Sequence, residues 1–528
     1  MSFVDRVLGA LGWSRQPPRA TKRQYYAGAA VNRLTSTWTT NTVSADQEIK
    51  GDLVALRSRA RDLSRNSGYA TQFLGIMADN IVGPGIRLQP RAKTLAGELD
   101  RELNSTVEKA WSTWGHADTA SLDGRWSWVD MQEQAARALP LDGEVLVRIY
   151  RGVRGNPFGF AVKLLDADFL DVQFNRAASR GRAEVRMGIE YDGQGRVSAY
   201  HLWDGHPNDY EFIAKGRTRS RVSAADVLHL FLAPRVGQSR GVTWFAPILV
   251  DLQMLRGFHE AALVQARAAA AQMGFISTDA ESAPLSANGE APGDDQSLEI
   301  EASPGLVRSL PPGSTFTPWA PASPNAEFSA FTKAILRGVA GGLRVSYNAI
   351  ASDLESVNYS SMRAGTLADR DVYRRLQAFF VEHLHRRVFA EWLELAILKE
   401  QIPAAARALL AEGGVAWRPR GWTWVDPRAD IAATVQAIDY GLESRSDVAA
   451  SQGREIEEIF ANLDAETQLA EEYDIEISGS SSSAPAAGFP PDSAPPPDDA
   501  NPTPPPPPPA KGKGKAPVPA PPAPKRKD

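Results

Sequence analysis

One helical pattern restricts this chain more than any other feature. Val372, Leu376, Phe379, Phe380, Leu384, Val388 and Trp392 recur at intervals of mostly three and four residues. Side chains spaced this way line one face of an α-helix, here for about six turns. So long an apolar face has to be covered by other elements. It belongs to a larger unit, residues 328–399: a first helix from Phe328, an interruption at 343–357, and the long helix entered through Asn358-Tyr359-Ser360-Ser361. Asn358 is the expected loop-to-helix cap. A structureless segment between strong helices is unusual in a compact domain and is more often functional than filler.

Composition narrows the classes. A chain of 528 residues that is 43% hydrophobic can bury one large core or several smaller ones. Its 58 basic and 63 acidic residues leave a formal charge of -5, which does not match a protein gripping nucleic acid over a broad basic face. The absence of cysteine excludes disulfides, iron–sulfur clusters and thiolate zinc sites, and is compatible with a reducing compartment. The longest apolar run, Trp244 to Met273, carries Asp251, Arg256, His259, Glu260 and Arg267, so no membrane span is expected. Asp5 interrupts the amphipathic N-terminus and argues against a secretory signal. The expectation is a soluble, intracellular protein.

Residues 13–45 read as an extended polar arm, either packed on a neighbouring surface through Tyr25, Tyr26 and Trp38 or loose. Helices are expected from Asp46 to Asn66, from Tyr69 to Ile81, from Glu98 to Trp114, and from Trp126-Ser127-Trp128 through Leu139. Arg57, Arg59, Arg61 and Arg65 along the first of these read as a solvated face. Strands are expected over Glu144–Tyr150, Phe160–Leu165, Arg186–Tyr191, Val197–Trp203 and Val227–Leu232, with a hairpin turn at Asp192-Gly193-Gln194-Gly195. An Ala-rich helix, Trp244 to Met273, suits close packing on a partner helix. Residues 277–323 form an insertion with strand candidates at Leu298–Glu301 and Gly305–Leu310. Short helices follow at Asp430–Tyr440, Ser446–Ser451 and Arg454–Glu472, and from Ser478 the Ser/Ala/Pro tail is too polar to fold. The fold class is therefore α+β, mainly helical.

No motif supplies a convincing active site. Gly237-Gln238-Ser239-Arg240-Gly241 matches the hydrolase pattern G-x-S-x-G between a strand and a helix. It lacks an upstream oxyanion loop and a parallel sheet to seat Ser239, and His383 and His385 lie on the long helix. A strand-to-helix turn is the better reading, with a serine hydrolase as its rival. Asp166-Ala167-Asp168-Phe169-Leu170-Asp171 reads as a solvated strand end because no histidine converges on it in sequence. His201, His206, His229 and His259 show no metal-binding spacing. Gly338-Val339-Ala340-Gly341-Gly342 lacks the lysine of a phosphate loop and reads as a site of kinking or close approach. The expected catalytic, cofactor and metal residues are none.

The order of these pieces resembles the portal proteins of tailed bacteriophages, of the lambda type. The resemblance runs from Leu56-Arg57-Ser58-Arg59 and Asn80-Ile81-Val82-Gly83-Pro84-Gly85 through Gly188-Ile189-Glu190-Tyr191-Asp192 and Gln238-Ser239-Arg240-Gly241. It is most specific at Asp353-Leu354-Glu355-Ser356-Val357-Asn358-Tyr359-Ser360-Ser361-Met362-Arg363 and continues through Trp424-Val425-Asp426-Pro427. It implies a portal fold of wing, stem, clip and crown that assembles into a homo-oligomeric ring of about twelve subunits around a central channel. The implied division is an N-terminal arm (1–45), an α+β wing (46–240), a stem helix (241–273), a clip (274–325) and a second stem helix (326–342). A tunnel loop (343–357), a long wing helix (358–400), a C-terminal wing and crown (401–477) and a disordered proline-rich tail (478–528) complete it. The implied partners are terminase, the major capsid protein, head–tail joining proteins and double-stranded DNA passing without sequence preference. The implied location is a capsid vertex of the virion, after assembly in the bacterial cytoplasm. Arg344, Asn348, Ser352, Asp353 and Glu355 are the loop residues expected to approach DNA. A non-viral ring-forming scaffold is the other alternative.

Overall fold

Local chemistry starts and stops most elements. The computed structural model describes residues 42–209, 211, 218–270, 274–278, 314–318, 328–355, 359–422, 427–452 and 454–473. Ser44 caps a short helix, α1 (Ala45–Ile49), and a turn at Gly51 separates it from α2 (Leu53–Asn66). The helix α3 (Gly68–Ile81) follows at once, and β1 (Arg87–Pro90) leads to α4 (Arg101–Trp114). Ser127 and Asp130 cap each other's backbone in a capping box that opens α5 (Trp128–Asp142). This helix runs past Pro140, beyond the expected end at Leu139, and stops at Gly143, whose φ is +84°.

Strands β2 (Glu144–Arg151), β3 (Phe160–Leu165), β4 (Glu184–Arg186), β5 (Ile189–Tyr191), β6 (Val197–Trp203), β7 (Arg219–Ser223) and β8 (Val227–Phe231) form two antiparallel sheets, ordered β3-β2-β8 and β4-β5-β6-β7. The expected strand Arg186–Tyr191 is broken in two at Met187-Gly188, where Met187 takes a φ of +44°. Asp192–Gly195 makes the expected turn between β5 and β6.

The helix α6 (Leu249–Ala270) starts later than expected because a short turn containing Pro247 precedes it. Strands β9 (Gly274–Thr278) and β10 (Ser314–Pro318) pair antiparallel and bracket the insertion; neither was anticipated, and the candidates at 298–301 and 305–310 lie outside the described residues. Then come α7 (Phe328–Leu343), α8 (Tyr347–Ala351), α9 (Tyr359–Phe380), a single π turn at Val381–His385 and α10 (Arg386–Leu398). The strand β11 (Val415–Arg418) pairs with the distant β1, and α11 (Pro427–Asp439), α12 (Arg445–Ser451) and α13 (Ile456–Glu472) follow.

The apolar face of the long helix is buried as its spacing predicts. Leu376, Phe380, Leu384, Val388 and Trp392 are at most 2% exposed. They join an aromatic core in which Trp111 lies 4.6 Å from Trp114 and 5.0 Å from Trp392, centroid to centroid. His385, in the π turn, packs against Trp128 and Trp417, and burial pushes its pKa down to about 3.

The arginines of α2 overturn the expectation of a solvated face. Arg59 and Arg65 are exposed, but Arg57 is buried and Arg61 is half-buried. Arg57 donates to Glu144 at 2.9 Å and to Asp168 at 2.6 Å. Arg61 donates to Asp142, Asp166 and Asp168, each at 2.7 Å. The run 166–168 is thus a set of counter-ions rather than a strand end in solvent. Glu144 also accepts from Arg240, from the Gly241 amide at 2.9 Å and from His229 at 2.9 Å. Burial alone would raise its pKa, but Arg240 and His229 hold it well below the usual carboxylate range. Removing one partner of such a buried set leaves charge uncompensated. Glu144→Gln is therefore expected to lower unfolding free energy by on the order of 3–5 kcal/mol in urea titration.

Candidate functional site

The loop after α7 is not structureless. Leu343 ends the helix, Arg344 turns left-handed at φ +59°, and the Val345 amide returns to the Ala340 carbonyl at 3.1 Å. That closure buries Val345 and is the αL helix ending normally served by glycine. Ser346 then caps α8, with the Ala349 amide donating to its Oγ, while its own amide donates to Asp369 of α9 at 2.9 Å. Ile350 is buried, and α8 packs on α3 and α7. The segment looked structureless because five residues make too short a helix to show a period.

Each expected residue has a distinct setting. Arg344 and Glu355 are exposed. Asn348 is half-buried at a cavity of about 480 Å³ that Ser352, Leu354, Arg370, Tyr373 and Trp422 also line. Ser352 is exposed, holds a φ of +50° and donates its amide to the Asn348 carbonyl at 2.9 Å. Asp353 accepts from Tyr347 Oη at 2.7 Å and pairs with Lys333 Nζ of α7 at 3.1 Å. Those two hydrogen bonds lower the Asp353 pKa, and the same contact raises that of Lys333. Glu355 lies 3.5 Å from the same ammonium, and its amide donates to Asp353 Oδ1 at 3.0 Å. Asn358 lies outside the described residues. Lys333 was missed, since nothing local links it to a carboxylate two elements later; so was Leu354, which is 66% exposed.

The G-x-S-x-G turn has a structural explanation. Ser239 Oγ donates to Asp46 at 2.7 Å and accepts from Tyr191 Oη at 2.8 Å, while its amide donates to the other Asp46 oxygen. No histidine bonds to it among the described residues; His385 sits in the aromatic core and His383 stacks on Phe379. A Cβ on Gly241 would lie 2.0 Å from the Gly143 carbonyl oxygen, so glycine is required by close backbone approach. Of the α7 glycines, Gly342 alone serves a similar end: a Cβ there would lie 2.5 Å from Ile248.

The structure does bring His206 to Asp166 and Asp168, with one ligand atom of each within 4.8 Å, a convergence the sequence concealed. The guanidinium groups of Arg57 and Arg61 already occupy those carboxylates. Among the described residues no helix is long and apolar enough to cross a membrane.

The model of the lambda family of phage portal proteins matches residues 31–377. A probable portal protein of Halomonas phage phiHAP-1 is 35% identical over 457 residues, covering 85% of this chain and 87% of that protein. Portal protein B of Escherichia phage lambda is 24% identical over 492 residues, covering 85% of this chain and 91% of that protein. Among solved structures, a chain from the neck of a native gene transfer agent particle, computed with C12 symmetry, has a TM-score of 0.40 at 13% identity. That alignment covers 76% of this chain and 93% of the neck chain. The chain belongs to the lambda family of phage portal proteins.

The Lys333 contacts make a direct prediction about the loop. Lys333→Met should speed amide hydrogen exchange at Leu354 and Glu355 while leaving the urea midpoint of global unfolding nearly unchanged, as for other solvent-accessible ion pairs. Unchanged exchange would show that the pair does not hold the loop.

Proposed function

We propose that this chain assembles into a closed ring of about twelve copies around a channel. Double-stranded DNA enters and leaves the capsid through that channel, at one vertex. Terminase docks on the clip, residues 274–325, and head–tail joining proteins replace it later; the major capsid protein is a further partner. Assembly takes place in the bacterial cytoplasm. The reading assigns no chemistry to the chain, and ATP hydrolysis falls to the terminase.

One observation supports ring formation above the rest. Helices α6 and α7 pack together through Phe258, whose ring lies 5.2 Å from Phe328 and 5.1 Å from Phe331, yet each leaves a long face uncovered. On α6, Val250, Met254, Ala261 and Val264 are exposed at helical spacing; Val250 is 71% and Met254 69% exposed. On α7, Ala334, Gly338 and Gly341 are exposed, and a Cβ on either glycine would meet nothing within 4 Å. One face offers knobs and the other a shallow groove. When the knobs of one copy enter the groove of the next, the contact is head-to-tail, and such contacts make a ring where the rotation between copies closes.

Within the ring, loop 343–357 approaches DNA, with Arg344, Asn348, Ser352 and Glu355 offering polar groups and Asp353 fixing the loop to α7. A conduit has to release every phosphate it meets, so mixed charge suits it better than a basic lining, which would bind and stall the polyanion. The same division of labour makes 358–400 the long wing helix and 401–477 the end of the wing and the crown.

The test is oligomeric state. Met254→Asp/Val264→Asp is expected to shift the sedimentation of the purified chain from a ring to a monomer with unchanged circular dichroism. Rings that persist in this variant would remove α6 from the interface.

A further inference from the structure

The four-stranded sheet carries a cationic face that lies outside the loop and helix faces proposed above for the channel and the ring contact. In β7, Val222 is buried while Arg219 and Arg221 point outward. Register places Arg221 opposite His201 and Arg219 opposite Trp203 of β6. Phe174 lies over this face, with its ring 4.7 Å from that of His201. The Arg219 guanidinium stacks 4.1 Å from the Phe174 centroid and 5.3 Å from that of Trp203. Arg176 and Val185 pair across a short hairpin that extends β4, and its tip carries Arg180 and Arg182, both exposed.

Charge on this face does not balance. Arg186 is paired with Glu184 and Asp46, and Arg196 with Asp192; beyond these, five guanidinium groups (Arg176, Arg180, Arg182, Arg219 and Arg221) share the face with three carboxylates. Glu190 is buried and engaged by Arg221 at 2.7 Å and by His201 at 3.1 Å, with Arg176 at 3.7 Å. Asp171 holds Arg219 at 2.9 Å, and Asp204 accepts from the hydroxyls of Thr218 and Ser220. Arg180 and Arg182 have no counter-ion among the described residues.

We propose that this outer face of β4–β7, with the hairpin tip at Arg180 and Arg182, binds the phosphate backbone of duplex DNA without reading its sequence. Arginine forks match phosphate oxygens, and stacking on Phe174 and Trp203 holds the Arg219 guanidinium flat. Arginine beside aromatic rings is also common in protein interfaces, but the uncompensated charge at Arg180 and Arg182 is better matched by a continuous polyanion than by a protein surface of mixed charge. Bases need not be reached: the face presents cations, and phosphates are the accessible anions of a duplex. The choice of duplex DNA as occupant rests on the portal reading; the cationic face does not.

The experiment uses the full chain and covalently closed circular duplex, which cannot thread a channel. Binding is followed across a salt series for the wild type and for Arg180→Gln/Arg182→Gln, which leaves the Glu190 contacts intact. The variant is expected to bind more weakly, with a slope of log affinity against log salt shallower by about one for each arginine removed. Equal affinity and slope would overturn the proposal, as would polyglutamate binding that depends on these arginines while circular DNA binding does not. If electron microscopy of the wild type shows no rings but DNA affinity still depends on Arg180 and Arg182, the portal reading fails and this one stands.

Discussion

A single buried carboxylate ties the α+β part of this chain together. Glu144 is fully buried at the start of β2 and accepts from Arg57 of α2, His229 of β8, and Arg240 and Gly241 of the turn that leads toward α6. Arg240 spends its remaining donors on the carbonyls of Leu170 at 3.1 Å, Met187 at 2.9 Å and Ala167 at 3.2 Å. Segments far apart in sequence are thus fixed to one point. Desolvation makes such a cluster a weak source of net stability, but few other arrangements satisfy all its donors, so it favours one packing. The turn it anchors is the root of α6, which sets where the uncovered face of that helix projects.

The elements that were legible in the sequence are those whose signal is local. The period of Val372 to Trp392 marked the buried face, Ser127 marked a helix start, and Asp192–Gly195 marked a hairpin. What the sequence hid depends on distant partners. Arg57 finds its counter-ions 87 and 111 positions away, so a run of arginines on one helix looked like a solvated surface. Strand β1 pairs with β11, a contact marked by Arg418 reaching Gln89 across 329 positions, and each is only four residues long. Asp353 stood out as a polar loop residue, but nothing nearby in sequence showed that Lys333 and Tyr347 would hold it.

The same contrast applies to function. The G-x-S-x-G match was set aside because its surroundings were wrong, and the geometry explains each part: Ser239 ties α1 to the turn, Arg240 serves Glu144, and Gly241 permits contact with Gly143. Family membership rests on similarity over most of the chain, while the proposed ring rests on faces that a single copy leaves bare. The segment 343–355 changes character, from an expected structureless interruption to a capped and anchored stretch in which Arg344, Ser352, Leu354 and Glu355 are exposed. A loop built that way holds its position better than an untethered one would.

The central claim is tested most directly by cryo-electron microscopy of the purified full-length chain. The account predicts rings with an open axial channel, α6 packed against α7 of the next copy, and residues 343–355 lining the bore. A monomer or dimer at every concentration, or rings with that loop on the outer rim, would contradict it.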